Sequence, residues 1–153
     1  MPFIIDVDKI QKTAEAYKGP WGTQCVALVQ MATPAAGSQN PPGTSMWRQG
    51  IWVHGAGPGV ISKGTVIATF TDAGLYPSGT EGSRHAAVYL SHDVNGIKVI
   101  DQWIGKPAPS ERTLTFVGFD VPRAVDKGDH YYVVELTAAP LEGTTGINEK
   151  STN

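Results

Sequence analysis

The apolar residues near the start of the chain recur at helical spacing. Residues 6–18 place three of them on one face, which predicts an amphipathic helix. These residues are Ile10, Ala14 and Tyr17. Asp8 and Gln11 match a capping box, and the Gly-Pro pair that follows residue 18 is typical of a helix end.

A second and mostly apolar run predicts a buried helix soon afterwards. It covers residues 25–31, with Thr23 as the expected N-cap. Residues 34–45 have turn composition throughout, which predicts a loop. Residues 46–49 are then expected to form one helical turn that presents Trp47.

The periodicity changes after residue 51. Five short runs rich in β-branched and aromatic residues are bounded by turn formers, which predicts strands over 65–70, 86–90, 97–103, 114–119 and 131–136. Helices followed by strands predict an α+β fold, with the N-terminal helices packed on an antiparallel sheet of about five strands. We expect residues 1–137 to form one domain and the polar residues 138–153 to be a disordered tail.

The composition narrows the class of protein. The chain has 153 residues, 41% of them apolar, which suits one domain with one core. Its 12 basic and 14 acidic residues give a net charge of -2, which argues against a nucleic-acid binder. No apolar run is long enough to span a membrane, and the first residues lack the pattern of a Sec-type signal peptide. The spacing of the histidines predicts no metal site, and we expect no cofactor.

The single cysteine, Cys25, falls in the first turn of the predicted second helix. The unpaired N–H groups and the positive dipole end at that position favour a thiolate. A cysteine nucleophile needs such an environment and a base. The alternative is a small buried apolar residue, so the surroundings of Cys25 must decide between the two.

Among the four histidines, His85 is the best candidate base. It opens the predicted strand 86–90, so its ring can project into a cleft beside the sheet. His54 lies in a Gly-rich loop, His92 lies at a predicted hairpin tip, and His130 directly precedes the last strand.

The strand after His85 ends in two residues that could orient an imidazole, Asp101 and Gln102. A longer hairpin loop would pair His85 with Asp101, and a register shifted by one residue would pair it with Gln102. A tight turn at Asn95-Gly96 would instead place His85 opposite Lys106. The sequence leaves all three registers open.

Tryptophans are the candidates for a substrate groove. The three residues that we single out are Trp21, Trp47 and Trp103. Because tryptophan is usually a core residue, we expect only one or two to face a cleft.

Three segments together resemble the papain-like superfamily of CHAP and NlpC-type cell-wall amidases and peptidases: GPWGTQCVALVQ, KGTVIATF and RHAAVYLSHDVNGIKVIDQW. In those families a helix carries the cysteine, a later strand opens with histidine, and the next strand supplies a polar residue. The strings GTVIATF, HAAVYL and DQW are also similar to a compact branch that includes type VI secretion amidase effectors. The resemblance spans residues 8–136. It departs at Arg84, where the CHAP pattern has glycine before the histidine.

The resemblance implies roles for these residues. Cys25 would be the nucleophile, His85 the general base and Asp101 the orienting residue, with Gln102 as the alternative third residue. The Gln24 side chain would join the Cys25 N–H in an oxyanion hole. The implied substrate is a peptidoglycan stem peptide. The bond between D-glutamate and diaminopimelate is favoured, and the diaminopimelate–D-alanine cross-link is second.

The resemblance also implies a toxin used between bacteria. Such a protein would be cytoplasmic in the producer, pass through a secretion machinery and act in the target-cell periplasm, with a cognate immunity protein as a further partner. Two alternatives remain open. One is a non-catalytic papain-like binding module in which Cys25 is merely buried, and the other is a papain-like enzyme for an amide or acyl substrate outside the cell wall.

Overall fold

A computed structural model of the chain describes residues 1–11, 15–19, 22, 24–32, 43–78, 84–118 and 124–137. Four of the features discussed above therefore lie wholly or mostly outside the described residues. These are the groove candidate Trp21, the N-cap candidate Thr23, the predicted loop 34–45 and the predicted tail 138–153.

Six strands form one antiparallel sheet. They are β1 (Trp47–Trp52), β2 (Val66–Ala68), β3 (Ala86–His92), β4 (Gly96–Asp101), β5 (Ser110–Thr115) and β6 (Tyr132–Leu136). Their order across the sheet is β1-β6-β2-β3-β4-β5, and every neighbouring pair is antiparallel. The fold class is α+β with an antiparallel sheet, as predicted. The sheet has six strands, whereas about five were expected.

The additional strand is β1, at one edge of the sheet. Only residues 44–46 form a short 3-10 turn, so the predicted helical turn over 46–49 is wrong for most of its length. The segment pairs instead with β6, where Trp47 faces Leu136. An edge strand exposes much of its length to solvent. Strand β1 can therefore carry polar residues and a glycine, which interrupt the apolar alternation that would have predicted a strand. Pairing with a distant segment outweighs local propensity here.

Strand β5, at the opposite edge, is also displaced from its predicted position. It spans residues 110–115, whereas the prediction was 114–119. Its first four residues, Ser-Glu-Arg-Thr, are polar and carry no strand signal of their own. Six consecutive partner pairs with β4 nevertheless hold it in the sheet, from Asp101 opposite Ser110 to Gly96 opposite Thr115.

Two short helices precede the sheet, α1 (Val7–Gln11) and α2 (Cys25–Met31). The first is shorter than the predicted helix 6–18, because residues 15–18 are not helical. The capping prediction is displaced as well: the Asp6 carboxylate accepts the N–H of Asp8 at 3.0 Å, so Asp8 lies inside the helix. The side chain of Gln102, the residue after β4, binds the backbone of Tyr17, as described below, and this bonding replaces a helical turn there.

The core occupies both faces of the sheet. Strand side chains alternate between faces, so Val66 and Ala68 belong to one apolar cluster and Ile67 to the other. The first cluster includes Leu28 and Val29 of α2, both fully buried. The central strands are therefore buried on both sides, which explains their unbroken apolar runs. Within the part of the chain that the structure describes, no helix has the length and hydrophobicity needed to cross a membrane.

Candidate active site

Cys25 is the first residue of α2, at the point where this helix packs against β3. Its thiol lies 3.6 Å from the Tyr76 hydroxyl. The His85 side chain and the Ala86 backbone both act on the thiol and lower its pKa. Cys25 is only partly buried, so a substrate carbonyl can reach the sulfur.

His85 directly precedes β3, and only 6% of it is exposed. Its backbone N–H donates to the Thr69 hydroxyl at 3.1 Å, and its carbonyl accepts the Thr69 N–H at 3.1 Å. Its ring Nε2 lies 2.8 Å from Oδ2 of Asp101. This contact leaves Nδ1 as the ring nitrogen for the Cys25 thiol, so one imidazole joins the sulfur to the carboxylate.

The register between β3 and β4 differs from all three predicted alternatives. Val88 pairs with Ile100, and continuing this register places His85 opposite Trp103. The hairpin connection covers only residues 93–95, and β3 contains an irregularity between Tyr89 and Ser91 that shifts the pairing. Asp101 is therefore the diagonal neighbour of His85, a distance that long side chains span across a sheet.

Asp101 lies at the centre of a buried charge network, and none of its surface is exposed. Besides His85, its carboxylate accepts hydrogen bonds from Arg112 Nε at 2.7 Å and from Lys106 Nζ at 3.0 Å. Burial alone would raise the pKa of Asp101, but the hydrogen bond and charge of His85 and the charge of Arg112 lower the pKa to about 2. The carboxylate is therefore ionised throughout the physiological range.

The electrostatics of the site favour a thiolate–imidazolium pair. Burial alone would raise the pKa of Cys25, but the hydrogen bond and charge of His85 outweigh burial and hold this pKa below its usual value. Burial alone would lower the pKa of His85, but hydrogen bonds to Asp101 and Cys25 and the charges of both raise it to about 9. A lowered thiol pKa beside a raised imidazole pKa favours the form of the pair in which His85 holds the proton.

Gln102, the alternative third residue, has a different function in the structure. It is fully buried, and its amide accepts the Tyr17 N–H at 2.9 Å and donates to the Tyr17 carbonyl at 2.8 Å. The same amide donates to the carbonyl of Gln24 at 2.9 Å. Gln102, directly after β4, thus joins the end of this strand to the segment before α2, next to Cys25. Among the described residues, Asp101 rather than Gln102 contacts the imidazole, at 2.8 Å.

Gln24 occupies the N-cap position of α2, in extended conformation and directly before Cys25. Its place is compatible with the predicted oxyanion hole, and that role stays a prediction.

Two of the three predicted groove tryptophans lie in the described residues. Trp47 is fully buried, so its prediction as a groove residue is wrong: it packs edge-to-face on Phe3 and Tyr76 within the core. Trp103 is 43% exposed and lies beneath Lys106 Nζ at 4.3 Å and the Arg112 guanidinium at 5.0 Å. It remains a groove candidate.

The sequence analysis did not assign Tyr76, Lys106 or Arg112 to the places that they occupy in the site. Tyr76 lies in the loop after β2, where no periodicity indicates its position. Lys106 follows β4, and the sequence offered it only as a residue opposite His85. Arg112 lies in β5 and pairs with Val99 of β4. Its place beside Asp101 depends on this pairing, and the sequence analysis predicted β5 at the wrong residues. In the described segments, no group of three or more His, Cys, Asp or Glu side chains could hold a metal ion.

Comparison with known proteins identifies the family of this chain. The profile of the domesticated amidase effector 2 family matches residues 4–134. The type VI secretion amidase effector 2 protein of Salmonella typhi is 42% identical over 94 residues, which are 60% of this chain and 63% of that protein. Domesticated amidase effector 2 of Ixodes scapularis is 35% identical over 113 residues, which are 74% of this chain and 71% of that protein.

A solved structure, type 6 secretion amidase effector 2, is similar with a TM-score of 0.66 and 33% identity, and the match covers 84% of this chain and 91% of that one. This similarity supports a papain-like fold. The resemblance that three short segments indicated is thereby confirmed, and the chain belongs to the domesticated amidase effector 2 family, among the compact type VI secretion amidase effectors.

Proposed function

We propose that the chain is a cysteine amidase that hydrolyses an amide bond in the peptide stems of peptidoglycan. The observation that carries the proposal is a buried His85 ring that lies 2.8 Å from the Asp101 carboxylate and acts on the Cys25 thiol, in a member of an amidase effector family. The bond between D-glutamate and diaminopimelate is the first candidate, and the diaminopimelate–D-alanine cross-link is the second.

The proposed reaction proceeds in two steps. The Cys25 thiolate attacks the scissile carbonyl carbon, and the oxygen takes up the negative charge. His85 donates its proton to the leaving amine as the C–N bond breaks, which leaves a thioester on Cys25. The neutral imidazole then takes a proton from water, and the resulting hydroxide attacks the thioester. The carboxylic product leaves, and the thiolate–imidazolium pair is restored.

Tyr76 is suited to stabilise the oxyanion. Its hydroxyl lies 3.6 Å from the sulfur, so it can hydrogen-bond to an oxygen on a carbon joined to that sulfur. Burial and the neighbouring Cys25 raise the pKa of Tyr76 above its usual value, which keeps the hydroxyl protonated as a donor. The Cys25 N–H, at the first position of α2, is a second donor candidate. Gln24 stays a third.

Replacing Tyr76 with phenylalanine should lower kcat by about 100-fold with little change in KM, since loss of one oxyanion donor costs about that much. The ring that packs on Trp47 is retained, so the fold should be unaffected. Steady-state kinetics on a purified muropeptide would measure the effect. Tyr89→Phe is the matched control, because it removes a tyrosine hydroxyl that binds His92 at 2.6 Å. Equal kcat losses in both variants would argue against the role of Tyr76.

The wider setting follows from family membership and is part of the proposal. The protein would be secreted by a type VI machinery into a target cell and would act on peptidoglycan in the periplasm. The producer would hold it in the cytoplasm together with an immunity protein that blocks the site. We therefore expect the chain to lyse a Gram-negative host when a signal peptide exports it and to be tolerated when it stays inside.

Digestion of purified Gram-negative sacculi tests the proposal. Because Cys25 is the only cysteine, iodoacetamide modifies one site, and the alkylated protein is a matched control. The untreated protein should release soluble fragments whose masses identify the bond, and the alkylated protein should release none. A reactive Cys25 without any release would move the substrate away from the wall. An unreactive thiol without release would favour the binding module.

A further inference from the structure

Three cationic side chains lie at or beside the site, and two of them are already bound. Lys106 and Arg112 both donate to Asp101, and Arg112 also contacts Asp126 at 3.3 Å. The third is Arg84, the residue that occupies the position of a glycine in the CHAP pattern. It is exposed and directly precedes His85.

Arg84 is exposed at the residue next to His85, and its charge reaches the tyrosine beside the nucleophile. Its charge acts on Tyr76, whose hydroxyl lies 3.6 Å from the Cys25 sulfur. Among the described residues, no side chain or backbone group forms a hydrogen bond or an ion pair with the Arg84 side chain. A guanidinium without a partner, at the edge of a site for a bound substrate, is available to an anion that the substrate brings.

We propose that Arg84 binds a carboxylate of the substrate beside the scissile amide and so selects anionic stem peptides. The identity of this ligand rests on the proposed function. Both candidate bonds have a free carboxylate within a few atoms: the α-carboxylate of γ-linked D-glutamate, or the carboxylate of diaminopimelate next to the cross-linking amine. The planar guanidinium can hold either with two parallel hydrogen bonds.

A pair of small probes tests the charge of Arg84 without relying on hydrolysis. Iodoacetate and iodoacetamide alkylate the same sulfur, and they differ in that only iodoacetate is an anion. We expect Arg84→Gln to lower the rate of Cys25 alkylation by iodoacetate several-fold and to leave the rate with iodoacetamide unchanged, since only the anion is attracted. Arg84→Lys should retain most of the iodoacetate rate. The difference between the parent and Arg84→Gln should shrink as salt is added.

Defined muropeptides test the recognition itself. Substrates with the free carboxylate and with the corresponding carboxamide are compared in the parent, Arg84→Lys and Arg84→Gln. The parent should favour the free carboxylate by about tenfold in kcat/KM, in line with the strength of one charge-assisted pair, and Arg84→Gln should lose this preference. Because Arg84 is exposed, we expect each variant to fold as the parent does.

The two experiments separate the failure of this inference from the failure of the proposed function. If Arg84→Gln keeps the parent's alkylation ratio and its preference for the free carboxylate, Arg84 has no role in recognition, whatever the enzyme cuts. If the alkylation ratio changes but no muropeptide is cut by the parent, Arg84 is an anion-binding residue and the stem peptide is the wrong substrate.

Discussion

Replacing Cys25 with alanine should abolish the release of muropeptides from sacculi. In hydrolases that use a covalent nucleophile, loss of that residue lowers kcat by about 10⁴-fold to 10⁶-fold, and we expect a loss in this range. The physical reason is that no other group of the site can form the thioester. His85 and Asp101 would remain in place, but the imidazole would have no thiol to activate. The measurement is the initial rate of muropeptide release, followed by chromatography and mass spectrometry.

Cys25→Ser is the matched control for this substitution. The serine hydroxyl can still hydrogen-bond to His85 and Tyr76, so the packing and polarity of the site are retained while the sulfur is lost. We expect this variant to be folded, with a melting temperature close to that of the parent, and nearly inactive. Substantial activity in Cys25→Ala would show that the amide is cleaved without a covalent step at this residue, and the proposed mechanism would be wrong.

Asp101→Asn should be nearly as damaging to the reaction, with kcat lowered by about 10³-fold to 10⁴-fold, by analogy with hydrolase triads. Asparagine keeps the size of aspartate but offers only one acceptor oxygen. The carboxylate now accepts from Arg112 and His85 on Oδ2 and from Lys106 on Oδ1, so the new amide N–H₂ must face at least one donor. Leaving buried charges without their partner should also cost about 3–5 kcal/mol of the free energy of unfolding.

Asp126→Asn is the control for Asp101→Asn. It removes a carboxylate that contacts the same Arg112, at 3.3 Å, but its side chain is 37% exposed. We expect a change in unfolding free energy of about 1 kcal/mol or less and near-parental kcat, since exposed ion pairs contribute little. Denaturant melts and steady-state kinetics measure both quantities. If the two variants lose activity equally, the effect comes from Arg112 and its surroundings, and Asp101 does not have the orienting role that we assign to it.

The three residues that the sequence analysis proposed for the chemistry, Cys25, His85 and Asp101, lie together in the structure, although the register that brings them together was not predicted. The signals that indicated these residues are local: Cys25 lies at a helix start, His85 at a strand start, and Asp101 at the end of the next strand. Small errors in the predicted strand pairing do not change these positions. In the structure, Asp101 reaches His85 diagonally across β3 and β4 rather than from the opposite position. A sheet offers several neighbours within side-chain reach, so the functional contact tolerates a register that sequence cannot fix.

The features that sequence missed depend on contacts between distant segments. Strand β1 carries polar residues and a glycine, and its strand character comes from pairing with β6, which lies about 80 residues later. That pairing buries Trp47, whereas the local sequence pattern predicted a helical turn that presents Trp47 to a cleft. Tyr76 lies in a loop without periodicity. Arg112 joins the site through pairing along the edge of the sheet, and no short-range pattern indicates either residue.

The most direct test of the thiolate–imidazolium pair is the pH dependence of two rates in the same protein, alkylation of Cys25 by iodoacetamide and release of muropeptides. Because the pKa of Cys25 is lowered, alkylation should become fast at a lower pH than it does for an ordinary thiol. It should stay fast above pH 9, where only the His85 proton is lost. Muropeptide release should fall in that upper range, because the pKa of His85 is about 9 and the leaving amine then lacks its proton donor. In His85→Ala, alkylation should become fast only at a higher pH, near or above that of an ordinary thiol. Alkylation that rises only above pH 8 in both proteins would show that His85 does not activate Cys25 and would contradict the account.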